Sequence, residues 1–172
     1  MNLIGISGKM GTGKSTLVNL IKTALSHKNV ECIKFADPLY ELQTMIYNKL
    51  RFELTGEKDR TLLIQLGMWA RSVDKDVFLR LALGKYHEQP SKHIIVIDDV
   101  RFPNEADCII DAGGMLIRLE GTQRGPNITP EHMSKPSETA LDNYNFKNII
   151  NNEGTQMDVF NQLLEVLQID RR

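Results

Sequence analysis

Between residues 8 and 15 the chain reads Gly8-Lys9-Met10-Gly11-Thr12-Gly13-Lys14-Ser15. A glycine, four free positions and then Gly-Lys-Ser form a phosphate-binding loop, which must be strung between a strand and a helix. Both flanks are present. Leu3-Ile4-Gly5-Ile6 is a short apolar strand entering the loop, and Thr16-Leu17-Val18-Asn19-Leu20-Ile21 starts a helix leaving it. The glycines let backbone N–H groups turn inward around phosphate oxygens, where the positive end of the helix also points. On this template Gly8 to Ser15, together with Thr16, contact a nucleotide. Lys14 reaches the β- and γ-phosphates of a nucleoside triphosphate, and the Ser15 hydroxyl ligates Mg²⁺.

With 172 residues the chain is read as one domain with a substantial core. An apolar content of 41% and a charged content of 25% are ordinary for a soluble globular protein. The net charge of −1 gives no overall attraction to a nucleic-acid polymer. No apolar run is long enough to span a bilayer, and no signal-like segment precedes the first strand, so a cytoplasmic protein is expected. Cys32 and Cys108 lie far apart among apolar residues and read as buried free thiols. His27, His87, His93 and His132 show no ligand spacing, which argues against a structural zinc site.

Strands and helices alternate, which predicts an α/β fold with a five-stranded, mainly parallel sheet flanked by helices. Strands are expected at Glu31–Phe35, Ile94–Ile97, Met115–Leu119 and Lys147–Ile150 besides the first. Asp37-Pro38 reads as an N-cap followed by proline at the first helical position, with Leu39, Leu42, Met45, Ile46 and Leu50 at helical spacing behind it. Further helices are expected over residues 62–73, 77–86, 104–112 and 157–167. Two insertions break the alternation. Residues 37–92 are almost wholly helical, and residues 121–137 are polar, Gly- and Pro-rich and long enough for a mobile functional loop.

The second informative stretch is Asp98-Asp99-Val100-Arg101-Phe102-Pro103-Asn104-Glu105-Ala106. A carboxylate at the carboxyl end of an apolar strand stands at the edge where open α/β sheets bind ligands. Asp98 or Asp99 can order Mg²⁺ through its water shell, or serve as a plain turn cap. Arg101 can clamp phosphate oxygens bidentately and is never neutral at physiological pH. Glu105 reads as a first-turn helix carboxylate.

The run from Asp99 to Ala106 resembles the signature of bacteriophage-type deoxynucleoside monophosphate kinases, within the P-loop nucleoside monophosphate kinases. Phe35-Ala36-Asp37-Pro38-Leu39 is similar to that family's segment after strand two. Leu62-Leu63-Ile64-Gln65-Leu66-Gly67, Ala70-Arg71 and Asp76-Val77-Phe78 resemble its acceptor-side helices. His132 with Ser137-Glu138 resembles its His-Pro-Ser-Glu element, but here Met133-Ser134-Lys135-Pro136 intervenes. The resemblance covers nearly the whole chain. It implies a single P-loop kinase domain, ATP and Mg²⁺, and transfer of the γ-phosphoryl to the 5′-phosphate of a deoxynucleoside monophosphate. It also implies a helical insert (37–92) that binds the acceptor and a lid-like loop (121–137) that closes over the donor. Lys14, Arg101 and Asp99 become the catalytic candidates, and Arg124 in the loop a donor ligand. Asp37, Trp69, Arg71, Arg101 and Glu138 become candidate acceptor ligands. For a phage-encoded chain the compartment is the host cytoplasm. A homodimer is left open.

Other readings stand beside these. Arg71 also reads as a solvated helix arginine, and Trp69, spaced with Leu66 and Val73, as a core residue. A kinase for a hydroxyl acceptor would need an aspartate base, for which Asp37 or Asp99 qualifies. A nucleotide-dependent switch would couple the γ-phosphate to ordered loops and a partner surface. The chain shows no basic tract and no Asn-Lys-x-Asp base reader for such a role.

Overall fold

A computed structural model of the protein describes residues 2–56, 58–87, 93–125 and 129–168. The side chain of His132 and residues 88–92 and 126–128 of the two expected insertions lie outside this set. The strands are β1 (Leu3–Ser7), β2 (Asn29–Ile33), β3 (His93–Val100), β4 (Met115–Glu120) and β5 (Asn148–Asn151). The helices are α1 (Lys14–Ala24), α2 (Asp37–Leu50), α3 (Arg60–Val73), α4 (Val77–His87), α5 (Pro103–Asp111), α6 (Pro130–Met133), α7 (Pro136–Thr139) and α8 (Gln156–Val166). The strands form one sheet in the order β2-β3-β1-β4-β5, and every neighbouring pair is parallel. The chain divides into two compact units, Lys34–Gln89 and the remainder.

In the larger unit β1 is the central strand, and all of its residues are buried. Period-two alternation splits its side chains between two faces. Ile4 and Ile6 join Val96, Ile117, Leu119 and Ile150 in a core closed by Leu17 and Ile21 of α1 and by Val159 and Leu163 of α8. The other face is covered by α5. A Cβ at Gly5 would lie 2.2 Å from the Ile109 Cδ1, so the absent side chain is what lets α5 lie against the sheet. Each fully buried aliphatic side chain here contributes about 1.5–3 kcal/mol relative to exposure.

Beside β1 the register of β3 slips. Gly5 pairs with Ile97 but Ser7 with Val100, so three steps of β3 oppose two of β1. This bulge falls on Asp98 and Asp99. Asp98 and Val100 are buried there, and Asp99 between them is half-buried. The chain leaves β1 towards β2 on one side, and leaves β3 towards β4 on the other. Such a divergence opens a crevice at the carboxyl edge, and both informative motifs sit on it.

Several boundaries differ from expectation. The second strand runs Asn29–Ile33, and Phe35 is buried beyond its end. Asp37 is not the N-cap of α2. Ala36 holds that place, and the Asp37 carboxylate accepts the Lys34 N–H at 2.8 Å, closing the turn that precedes the helix. In the smaller unit α3 is capped by Asp59, which accepts from Leu62 N–H and from the Tyr47 hydroxyl of α2. Gly67 is the buried residue of α3. Trp69 stands about 200° further round the helix and is 64% exposed, so the core reading of Trp69 is wrong. Val73 is exposed as well. Residues 121–137 are not uniformly irregular: α6 lies within them and α7 begins there. Neither cysteine is in a disulfide among the described residues, and both are half-buried rather than buried. No helix among the described residues is long and apolar enough to cross a membrane.

Candidate phosphoryl-transfer site

The loop between β1 and α1 has the backbone its glycines predict. Gly11 and Gly13 hold φ at 79° and 96°, in the left-handed region that L side chains avoid. A Cβ at Gly13 would also lie 2.6 Å from the Asn152 Nδ2. That amide donates to the Thr12 carbonyl at 2.8 Å, and the Asn152 N–H donates to the Glu120 carbonyl at 2.7 Å. Thr12 is buried, its hydroxyl donating to the Lys9 carbonyl at 2.9 Å. Lys14 curls into the loop, donating to the Gly8 and Lys9 carbonyls at 2.6 and 2.9 Å. Burial and then the Arg101 guanidinium push the Lys14 ammonium down to about 7, against the upward pull of Glu138, Asp98 and Asp99. Ser15 and Thr16 are exposed in the first turn of α1.

Arg101 follows the β3 bulge and is fixed at both ends. Its backbone N–H, with that of Phe102, donates to the buried Glu105 carboxylate at 2.7 and 3.1 Å. Glu105 is therefore more than a charge near a helix dipole, since it sets the backbone from which Arg101 projects. The Arg101 Nη1 lies 2.5 Å from the Glu138 Oε1 and donates to the Ser137 carbonyl at 3.3 Å. Glu138, expected to meet an acceptor, instead gives its second oxygen to the Met10 N–H at 2.8 Å. The physical reason is proximity, because α7 brings Glu138 against the phosphate loop where a backbone donor and a guanidinium converge.

Other site residues were invisible in the sequence. Arg118 on β4 is buried beside its register partner Ser7, donating to that hydroxyl at 3.1 Å. Asp142 lies 3.6 Å from Arg118 and 3.1 Å from the Lys9 Nζ. Gln123 donates to the Met10 carbonyl at 2.9 Å, and the Arg124 N–H to the Gly11 carbonyl at 3.0 Å. The start of the 121–137 segment is thereby stitched to the phosphate loop. Arg124, Thr16, Gly13, Asn152 and Gln156 line an open cavity of about 200 Å³ together with Leu17 and Val159. Gly13, Thr16 and Arg124 were expected at the nucleotide from the sequence, whereas for Asn152 and Gln156 the only hint was their position after a strand at the carboxyl edge.

The structure thus gathers Lys14, Arg101, Asp98, Asp99 and Glu138 around one loop. Asp37, Trp69 and Arg71 belong to the smaller unit. There the Arg71 guanidinium lies over the Phe78 ring at 4.6 Å and donates to the Gly67 carbonyl at 3.4 Å, so it is packed and not simply solvated.

Inward-turned glycines, a lysine inside the loop and a hydroxyl on the first helical turn fit a nucleoside triphosphate. No group of three or more His, Cys, Asp or Glu among the described residues could hold a metal. A hard cation such as Mg²⁺ is commonly held by one or two protein oxygens with water and phosphate. Ser15 and the aspartates of the bulge are the donors that suit it.

A parallel sheet in this order with this loop defines the P-loop kinase class, and solved structures agree on the fold. A gluconokinase from Sinorhizobium meliloti 1021 superposes with a TM-score of 0.52 at 17% identity, over 97% of this chain and 91% of that one. A dephospho-CoA kinase from Campylobacter jejuni gives 0.52 at 14%, over 97% and 96%. A shikimate kinase from Bacteroides thetaiotaomicron gives 0.53 at 14%, over 97% and 98%. No curated protein matches significantly in sequence. The family model for phosphomevalonate kinase matches residues 6–113, and the chain belongs to that family of kinases.

Proposed function

We propose that this kinase transfers the γ-phosphoryl group of ATP to the 5′-phosphate of a deoxynucleoside monophosphate, giving a deoxynucleoside diphosphate and ADP. The observation that carries the reading is Arg101, a second cation beside Lys14 at the phosphate loop. Phosphoryl transfer depends on alignment and on neutralising charge. An acceptor phosphate has a second pKa of about 6, is largely dianionic at neutral pH and needs no base. Two convergent cations are what such a reaction requires. The deoxynucleotide itself rests on the resemblance carried by Asp99–Ala106 and Phe35–Leu39. The family model, named for a kinase of an already phosphorylated compound, is compatible with a phosphate acceptor.

In this reading the loop backbone, Lys9 and Lys14 hold the donor phosphates, and the donor nucleoside lies in the cavity bordered by Thr16, Arg124 and Asn152. Ser15 and, through water, Asp98 or Asp99 would hold Mg²⁺, which would supply further neutralisation of the donor phosphates. Arg101 stabilises the charge on the migrating group. Asp37, Arg71 and Trp69 are assigned to the acceptor on its own unit. The partners are ATP and the monophosphate, with no nucleic-acid polymer or membrane.

A second reading draws on the bulge, which sets Asp98 and Asp99 close enough to influence Lys14. Asp99 is then a base for a hydroxyl acceptor, and a gluconokinase and a shikimate kinase share the fold. ADP release decides, measured with Mg·ATP against deoxy- and ribonucleoside monophosphates, hydroxylated metabolites and no acceptor. Turnover confined to deoxynucleoside monophosphates and lost in Lys14→Ala supports the proposal. Turnover only with hydroxyl acceptors, lost in Asp99→Asn, replaces it.

A further inference from the structure

α7 and the turn that follows it meet the phosphate loop through carboxylates four residues apart. Glu138 holds the Met10 N–H at 2.8 Å and the Arg101 guanidinium at 2.5 Å. Asp142 holds Lys9 at 3.1 Å, with Arg118 at 3.6 Å behind it. Two residues on, the Tyr144 hydroxyl donates to Asp107 of α5 at 2.7 Å. Glu138 is thus delivered from a segment pinned to the loop, to β4 and to α5, and its side chain is only 6% exposed.

A carboxylate gripped by a backbone N–H and a guanidinium takes the same donors that a phosphate oxygen takes. Arg101 and Lys14 are like charges close enough to disfavour one another, and Glu138 is a counter-ion to both. A polyphosphate brings its own negative charge to the same cations, and two anions cannot share that seat without repulsion.

We infer that Glu138 is the positioning residue for Arg101: it holds the guanidinium at the loop as an internal anion and yields it, with the Met10 N–H, to a phosphate of the bound nucleotide. This rests on the kinase reading only for the claim that the loop binds ATP. Glu138 therefore has two opposed effects. It keeps Arg101 placed for turnover, and it competes with the nucleotide for the same donors. Loss of a merely structural residue weakens binding and turnover together. Loss of a displaceable anion tightens binding while turnover falls.

The test titrates Mg·ATP into the full chain by calorimetry at about pH 6, below the Lys14 value of about 7, because Glu138 also holds that value up; it uses no acceptor and compares wild type, Glu138→Gln and Glu138→Asp. Glu138→Gln removes the charge, and the expected dissociation constant falls about tenfold, the scale of one charge-assisted hydrogen bond. Glu138→Asp keeps the charge but shortens the reach, and it should bind a few-fold tighter than wild type, between the other two. With an acceptor, kcat falls in both variants. Affinity equal to or weaker than wild type, in a Glu138→Gln protein with an unchanged melting profile, overturns the inference. Should that variant not fold, Glu138→Asp decides by the same comparison. Tighter ATP binding in a chain that phosphorylates no deoxynucleotide would uphold this inference and defeat the proposed substrate. Turnover of a deoxynucleotide with unchanged ATP affinity would do the reverse.

Discussion

The lowered pKa of Lys14 makes ATP affinity a function of pH in a window where few other groups titrate. Burial first and Arg101 second bring it from 10.5 to about 7, with Glu138, Asp98 and Asp99 opposing the shift. The direction follows from which form binds. Donor phosphates favour the charged ammonium, so binding raises the pKa again and takes up a proton wherever free Lys14 is neutral. Above pH 7 the charged fraction of the free protein falls about tenfold per pH unit. Between about pH 7.5 and about pH 9 the affinity for Mg·ATP should fall on the order of 25-fold, or ~2 kcal/mol. A phosphate with its second pKa near 6 is already ionised across that range and adds little slope. Lys14 is the site group whose charge changes in that window. Calorimetry in two buffers of different ionisation heat measures both the affinity and the proton uptake, which should approach one per ATP at the alkaline end. Lys14→Arg, whose guanidinium does not deprotonate, should show a flat profile. A flat wild-type profile, or an equally steep one in Lys14→Arg, would refute the assignment.

Two substitutions test other parts of the site. Gly13→Ala forces a side chain onto φ of 96° and to 2.6 Å from Asn152 Nδ2, and should lower stability by about 1–3 kcal/mol in thermal melts and abolish ATP binding. A variant that melts and binds as wild type would show that the loop is not held this way. Trp69→Ala removes a ring that is 64% exposed, so stability should change by no more than ~0.5 kcal/mol. If Trp69 stacks on the acceptor base, the acceptor KM should rise about tenfold or more. An unchanged KM removes Trp69 from the acceptor site.

What the sequence disclosed and what it withheld divide along a physical line. The phosphate loop, the alternation that makes a parallel sheet and the placement of Arg101 after β3 are local patterns, readable from neighbours a few residues apart. Glu138 against Met10, and Asn152 against Thr12, join residues 128 and 140 positions apart, and no periodicity encodes such a meeting. The bulge at Asp98-Asp99 was hidden for a related reason: register is a property of two strands, and one strand read alone shows only apolar residues ending in acids. Arg118 is apolar in none of its chemistry, yet it sits buried because Ser7, Asp142 and the Phe146 ring at 5.3 Å satisfy it. Trp69 shows the converse. Helical spacing identified α3 correctly, but spacing does not say which side of an amphipathic helix is covered, and the buried side runs through Gly67.

The central claim is that the acceptor atom is a phosphate oxygen, and product identification by phosphorus NMR tests it most directly. With Mg·ATP and the deoxynucleoside monophosphate that gives the highest turnover, the account predicts a second diphosphate species besides ADP, its two phosphorus signals split by a new P–O–P linkage. A new phosphomonoester resonance, or release of inorganic phosphate alone, would contradict it and move the reaction to a hydroxyl or to water.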